Sequence, residues 1–204
     1  SDDVLYGGLG YDSFDGEAGD DRLYGEGGDD SILGGAGSDY LSGGEGSDRL
    51  DGGAGVDALM AGVGDDRLIL DIADSVVDGG LGTDTLQIGE SDIDFTSGGL
   101  PTFAGIEVID VKNSAITNLS FNLDSLRGMS SESEQLWIKA DAADSVGLTD
   151  YASWRETVLE NDGTTTNRLL TQDGFILRVT NSGESDAEAA SVDDATPISS
   201  GSTY

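Results

Sequence analysis

A single apolar side chain recurs at every ninth place in the first part of the chain: Leu5, Phe14, Leu23, Ile32, Leu41, Leu50, Leu59, Leu68, Val77 and Leu86. Glycine, aspartate and small polar residues fill the intervals. Three residues centred on the apolar one predict a short strand with that side chain turned inward. From Gly7 the sequence divides into nine-residue blocks: GGLGYDSFD, GEAGDDRLY, GEGGDDSIL, GGAGSDYLS, GGEGSDRLD, GGAGVDALM, AGVGDDRLI, LDIADSVVD and GGLGTDTLQ. SDDVLY, at the start, fits the last six places of an earlier block. A fixed internal period is the mark of a solenoid in which each repeat packs on its neighbours.

The second half has a different pattern. Twenty-two of the 32 glycines lie between Gly7 and Gly82, and the nonapeptide stops after Gln87. Beyond it Leu119, Phe121 and Leu123 alternate with polar residues, as do Phe175, Leu177 and Val179, which predicts half-buried strands. Further strands are expected from Ile106 (IEVIDV) and Gln135 (QLWIK). Asp173-Gly174, between RLLTQ and FILRVTN, is a hairpin signal. Trp137, Trp154, Phe95 and Phe103 supply bulk that the repeats lack. An exposed solenoid end leaves backbone groups unpaired, so residues 88–181 are read as a β-rich C-terminal cap continuous with the repeats of residues 1–87. Residues 182–204 are small and polar with acidic but no basic side chains, and read as a disordered tail.

Charge changes the picture. Acidic residues number 41 against 9 basic ones, a formal net charge of -32. Self-repulsion of this size opposes compaction, and it disfavours nucleic acid and anionic membranes as partners. No apolar run is long enough to span a bilayer, so direct membrane insertion is not expected. With no cysteine and no histidine, disulfides, zinc, haem and histidine-based catalysis are excluded. A small domain without disulfides needs another staple, and metal is the usual one.

The sixth place of the blocks carries the candidate ligands: Asp3, Asp12, Asp21, Asp30, Asp39, Asp48, Asp57, Asp66 and Asp84. Only the block Leu70 to Asp78 departs, with Ser75 at that place and Asp74 one residue early. Glycine-rich turns expose carbonyls, and carbonyls with carboxylates make a cage of hard oxygens. Such a cage suits Ca²⁺, which takes six to eight oxygens in flexible geometry, better than Mg²⁺.

These blocks resemble the GGxGxDxUx nonapeptide of the RTX (repeats-in-toxin) calcium-binding family, over residues 1–87 with one degenerate block. The resemblance implies an all-β fold, a right-handed parallel β-roll with two nonapeptides per coil, followed here by the cap. It implies calcium between block n and block n+2, bound by the sixth-place aspartates of both. The pairs are Asp3 with Asp21, Asp12 with Asp30, Asp21 with Asp39, Asp30 with Asp48, Asp39 with Asp57, Asp48 with Asp66, and Asp66 with Asp84. Asp57 would face Ser75, leaving that site empty or weak unless Asp74, one place off, substitutes. About seven Ca²⁺ ions are expected. Backbone carbonyls would complete each site, from Gly8, Gly10, Gly19, Gly25, Gly27, Gly28, Gly34, Gly35, Gly37, Gly43, Gly44, Gly46, Gly52, Gly53, Gly55, Gly62, Gly64 and Gly79.

The segments FAGIEVIDV, NLSFNLDSL, LWIKADAADSV and FILRVTN resemble the module after the repeats in large type I-secreted RTX adhesins. A departure falls between Val146 and Phe175, with Trp154 and a Thr/Asn-rich insert at 161–167. The resemblance implies a monomeric, non-enzymatic, calcium-switched secretion and display module. It would act in the extracellular space or at the surface of a Gram-negative bacterium. Its partners would be calcium and, transiently, the type I secretion machinery, with an uncleaved signal covering part of the cap and tail. Because the chain opens on Ser1 in mid-motif, it is expected to be a piece of a longer protein. Two other classes stay open. One is the tail domain of a secreted protease or lipase, although neither HExxH nor GxSxG occurs in this chain. The other is a calcium-dependent glycan- or peptide-binding module using Tyr6, Tyr11, Tyr24 and Tyr40.

Overall fold

The computed structural model describes residues 1–88, 93–96, 98–111, 118–130, 135–141, 145–148, 155–161, 165–172 and 175–182. Strands are numbered β1 to β19 along the chain. Each coil of the repeat region takes two nonapeptides, so a residue pairs with the one 18 places on. Odd-numbered strands form one parallel sheet: β1 (Val4–Leu9), β3 (Arg22–Gly27), β5 (Tyr40–Glu45), β7 (Ala58–Val63) and β9 (Val76–Leu81), ending on β12 (Thr102–Ala104). Even-numbered strands form the second: β2 (Ser13–Asp15), β4 (Ser31–Gly37), β6 (Arg49–Gly55), β8 (Arg67–Leu70) and β10 (Thr85–Ile88). Most strands are longer than the three residues expected. Pairing continues into the glycines, as in Gly35 with Gly53 and Ala36 with Ala54, because successive turns share one shape and their backbones stay in register.

The eighth-place residues stack into two ladders that fill the space between the sheets. One runs Leu5, Leu23, Leu41, Leu59, Val77 and then Phe103. The other runs Phe14, Ile32, Leu50, Leu68, Leu86 and then Ile109, Ile138 and Val179. From Leu23 to Leu86 these side chains are fully buried. The degenerate block keeps its place in the stack through Val77, which explains why the coil survives there. Burying one aliphatic side chain contributes about 1.5–3 kcal/mol. That is small against ordering nine backbone residues at about 1 kcal/mol or more each.

The second sheet does not stop with the repeats. Beyond β10 it continues in parallel through β13 (Val108–Asp110), β15 (Gln135–Asp141) and β19 (Phe175–Ser182). It closes with the antiparallel strands β18 (Thr165–Gln172) and β17 (Arg155–Asn161). The expected boundary at 87/88 falls inside β10, whose Ile88 is buried. A third parallel sheet, β11 (Ile93–Asp94), β14 (Asn118–Phe121) and β16 (Ser145–Leu148), lies beside it. The 29-residue step from Val108 to its partner Trp137 shows how far these coils exceed the nonapeptide pair. Phe95 stacks on Phe121 at 4.5 Å and meets Phe103 edge-on at 5.6 Å.

Two expectations need correction. The alternation through Leu123 breaks at Asn122, and Leu123–Met129 is a short helix, α1. The Asn122 side chain accepts the Ser125 N–H while the Ser125 hydroxyl accepts the Asn122 N–H, a reciprocal cap that starts a helix whatever the apolar spacing. Ser182, assigned to the tail, still belongs to β19. The RLLTQ and FILRVTN strands do form a hairpin, with Gln172 opposite Phe175. Trp154, Asp173, Gly174 and residues 183–204 lie outside the described residues.

Candidate metal centre

The turns of the roll place the sixth-place aspartates in two columns, one along each edge. Turns leading into β1, β3, β5 and β7 carry Asp3, Asp21, Asp39 and Asp57. Turns leading into β2, β4, β6, β8 and β10 carry Asp12, Asp30, Asp48, Asp66 and Asp84. Within a column each backbone N–H donates to the Oδ1 of the aspartate one coil on. The distances are 2.6 Å for Asp3 to Asp21 and 2.8 Å for Asp12 to Asp30, Asp21 to Asp39, Asp30 to Asp48 and Asp39 to Asp57. Asp48 to Asp66 and Asp66 to Asp84 follow at 2.7 and 2.9 Å. These bonds orient every carboxylate the same way. All seven pairs expected from the sequence are brought together as neighbours.

The second oxygen of each carboxylate has no such partner. Oδ2 of Asp21, Asp30, Asp39, Asp48, Asp57, Asp66 and Asp84 is buried and accepts no hydrogen bond. A buried carboxylate oxygen without a donor is costly unless a cation meets it. Asp3 is exposed and Asp12 half-buried. Among the described residues the ion pair found is Arg49 with Asp51, on the surface, so no lysine or arginine neutralises the columns.

The first glycine of each block shows where these oxygens point. A Cβ built on Gly34 would lie 2.6 Å from both Asp39 Oδ2 and the Gly52 carbonyl; on Gly7 it would lie 2.7 and 2.8 Å from Asp12 Oδ2 and the Gly25 carbonyl. Gly16, Gly25 and Gly43 face the same combination, with Ala61 supplying the carbonyl at Gly43. Any side chain there would displace a carboxylate oxygen and a carbonyl aimed at one spot. This pairing of orphaned carboxylate and carbonyl oxygens fits a hard cation. Three carboxylates never converge on one point among the described residues, so carbonyls must supply much of any coordination.

The carbonyls named from the sequence divide into groups. Those of Gly25, Gly34, Gly43 and Gly52 face these cradles. Gly27 accepts the Gly10 N–H at 2.7 Å. Gly8, Gly10, Gly19, Gly28, Gly35, Gly37, Gly44, Gly46, Gly53, Gly55, Gly62 and Gly64 lie at left-handed φ in the turns. There the carbonyls of Gly10, Gly19, Gly28, Gly35, Gly37, Gly44 and Gly46 crowd the glycine one coil on. Gly79 forms the last cradle.

Electrostatics follow from burial. It is the main cause that raises Asp39, Asp48 and Asp57, pushes Asp66 to about 6 and pushes Asp84 to about 7. The N–H bond from the neighbouring coil opposes the shift, and the stacked carboxylates add to it. In the degenerate coil Asp74, one place early, is a buried carboxylate near Asp57. Its Oδ2 accepts the Asp71 N–H at 3.2 Å, its Oδ1 is buried with no hydrogen-bond partner, and it is pushed to about 7, chiefly by burial. Ser75 instead gives both its N–H and its hydroxyl to the Asp57 carbonyl, at 2.7 and 2.8 Å. Two oxygen donors escaped the sequence-based set: the Ala61 carbonyl, where alanine replaces glycine, and Glu107, which accepts the Asp84 N–H at 3.0 Å. Asp74, one place early, had a sequence signal as an aspartate beside the missing one.

Of the surface tyrosines, Tyr6 and Tyr24 stack at 4.9 Å and Tyr40 leans on Tyr24 at 5.8 Å, while Tyr11 stands apart and exposed.

A family model for the RTX calcium-binding nonapeptide repeat matches residues 1–32, 33–68 and 57–86. Residues 1–86 are thus an RTX repeat region, and this parallel β-roll is a calcium-binding module. RTX repeats typically occur in secreted bacterial proteins. Neither the curated proteins nor the solved structures contain a match to the chain. No helix among the described residues is long and apolar enough to cross a membrane.

Proposed function

We propose that the two edge columns hold about seven Ca²⁺ ions, each between successive coils, from the Asp3–Asp21 pair to the Asp66–Asp84 pair. The row of buried Oδ2 atoms without a donor carries this reading. Calcium supplies the positive charge that lets stacked carboxylates stay ionised in a buried place. From Asp21 on, Oδ1 of each sixth-place aspartate is held by the N–H of the coil before, which leaves Oδ2 pre-aimed with little rearrangement. The first-place glycines and Ala61 keep the carbonyls close.

The protein is a non-catalytic secretion and display module at the C-terminal end of an extracellular adhesin of a Gram-negative bacterium. Two features support this. The net charge of -32 keeps an ion-free chain expanded and able to pass a secretion channel. Extracellular calcium then saturates sites with Kd on the order of 10⁻⁴–10⁻³ M, and folding and binding become one event.

Far-UV circular dichroism during calcium titration tests the reading. The β signal should rise cooperatively in the submillimolar to millimolar range, with Mg²⁺ at the same concentration giving little change. A β signal already complete in chelator, or restored equally by Mg²⁺, would overturn it.

A further inference from the structure

We infer that the roll and the C-terminal region share one more calcium site, made by Asp84, Glu107 and the Gly105 carbonyl. It rests on the calcium reading of the columns but uses residues outside the nonapeptides.

β12 pairs with β9 so that Ala104 stands opposite Asp78. Gly105 then follows beside Gly79, in the place of the next block's first glycine. A Cβ built on Gly79 would meet the Gly105 carbonyl and, at 2.7 Å, Asp84 Oδ2, the same two-oxygen cradle found at Gly7 and Gly34. Asp84 is fully buried and its Oδ2 accepts no hydrogen bond.

Glu107 occupies the place of the missing sixth-place aspartate. Its Oε2 accepts the Asp84 N–H at 3.0 Å, as Asp84 Oδ1 accepts that of Asp66 at 2.9 Å. The next bond also repeats: Val108 N–H donates to the Asp84 carbonyl at 2.9 Å, as Thr85 donates to Asp66 at 2.8 Å. Four residues separate Gly79 from Asp84, but only Ile106 separates Gly105 from Glu107. Despite the shortened turn, the Glu107 backbone stays on the Asp84 coil, its N–H donating to the Asp84 carbonyl at 3.2 Å. Binding there ties β13 to the last repeat, so the ion couples the roll to the C-terminal strands.

The competing explanation is that Glu107 serves the fold as a hydrogen-bond acceptor and takes no ion. Glu107→Gln separates the two, since the amide oxygen keeps that acceptor but loses the charge. Calcium per chain is measured by elemental analysis after gel filtration at a concentration that just saturates the wild type. Trp137, in register with Val108, reports the junction by fluorescence in a Trp154→Phe background. Glu107→Gln should lose one ion and shift the Trp137 calcium midpoint upward on the order of tenfold. The circular dichroism midpoint of the roll should move less than about twofold. An unchanged ion count with an unchanged Trp137 midpoint would overturn the site. Infrared spectra of the otherwise native chain carrying ¹³C-labelled glutamate carboxylates need no folded variant. The repeat ligands are all aspartates, so one glutamate band should move with calcium, and no movement would again overturn the site. Asp48→Asn, in mid-column, serves as the control. If it too leaves the ion count unchanged, the reading of the whole roll fails, not this site alone.

Discussion

The repeats and the region after them build parallel sheets from opposite materials. From Asp21 to Ile88 each coil buries at least two aliphatic side chains and two carboxylates. Beyond residue 93 the coils are longer, and Phe95, Phe121, Phe175, Ile106 and Leu126 fill the interior. The first region has a thin apolar interior, and the calcium reading proposed above supplies the cations that such a stack of carboxylates calls for. The second resembles an ordinary domain interior. Yet they share one sheet and one ladder, with Leu86 paired to Ile109 and Ile109 to Ile138. Under the proposed calcium reading, the C-terminal region, with its own apolar interior, is the natural template for the roll.

The largest effect should come from removing that template. Deleting residues 105–181 should leave the repeats without β signal in circular dichroism even in excess calcium. Full folding of the truncated chain would show that the roll needs no nucleus.

Core truncations should then separate the regions by their calcium response. Phe121→Ala should cost about 3–5 kcal/mol and lower the thermal midpoint of the C-terminal region by similar amounts with and without calcium. Leu50→Ala should cost about 2–5 kcal/mol and raise the calcium midpoint of the roll, because folding there is linked to ion binding. Equal calcium shifts for both would mean that the two regions fold as one unit.

The smallest effect concerns pH. In the ion-free roll, burial raises Asp66 to about 6 and Asp84 to about 7, above their unfolded values. The folded form therefore holds more protons between about pH 4 and 7, and its stability falls as pH rises through that window. Chelated protein should gain β signal on acidification from pH 7.5 to 5. Calcium-loaded protein should shift the opposite way, needing more calcium as protons compete for its ligands. Parallel slopes in both states would contradict the columns.

The periodic part of the molecule was legible because its physics is local. An apolar residue every ninth place and an aspartate two places before it mark a repeating coil, and all seven aspartate pairs implied by the RTX resemblance lie next to one another. The helix at Leu123–Met129 was hidden by an alternation that a reciprocal Asn122–Ser125 cap overrode. Asp74 stood in plain view, but whether a one-place shift still reaches the column depends on how the turn bends.

By itself, then, the chain determined its nine-residue period, its inward residues and the chemistry of its edges, since each follows from the repeat. Only the tertiary structure decided that one of the two aspartate columns ends on Glu107. It also decided that the second sheet runs unbroken into the C-terminal region. Those outcomes rest on pairings between segments of unequal length, where no shared period links one partner to the other.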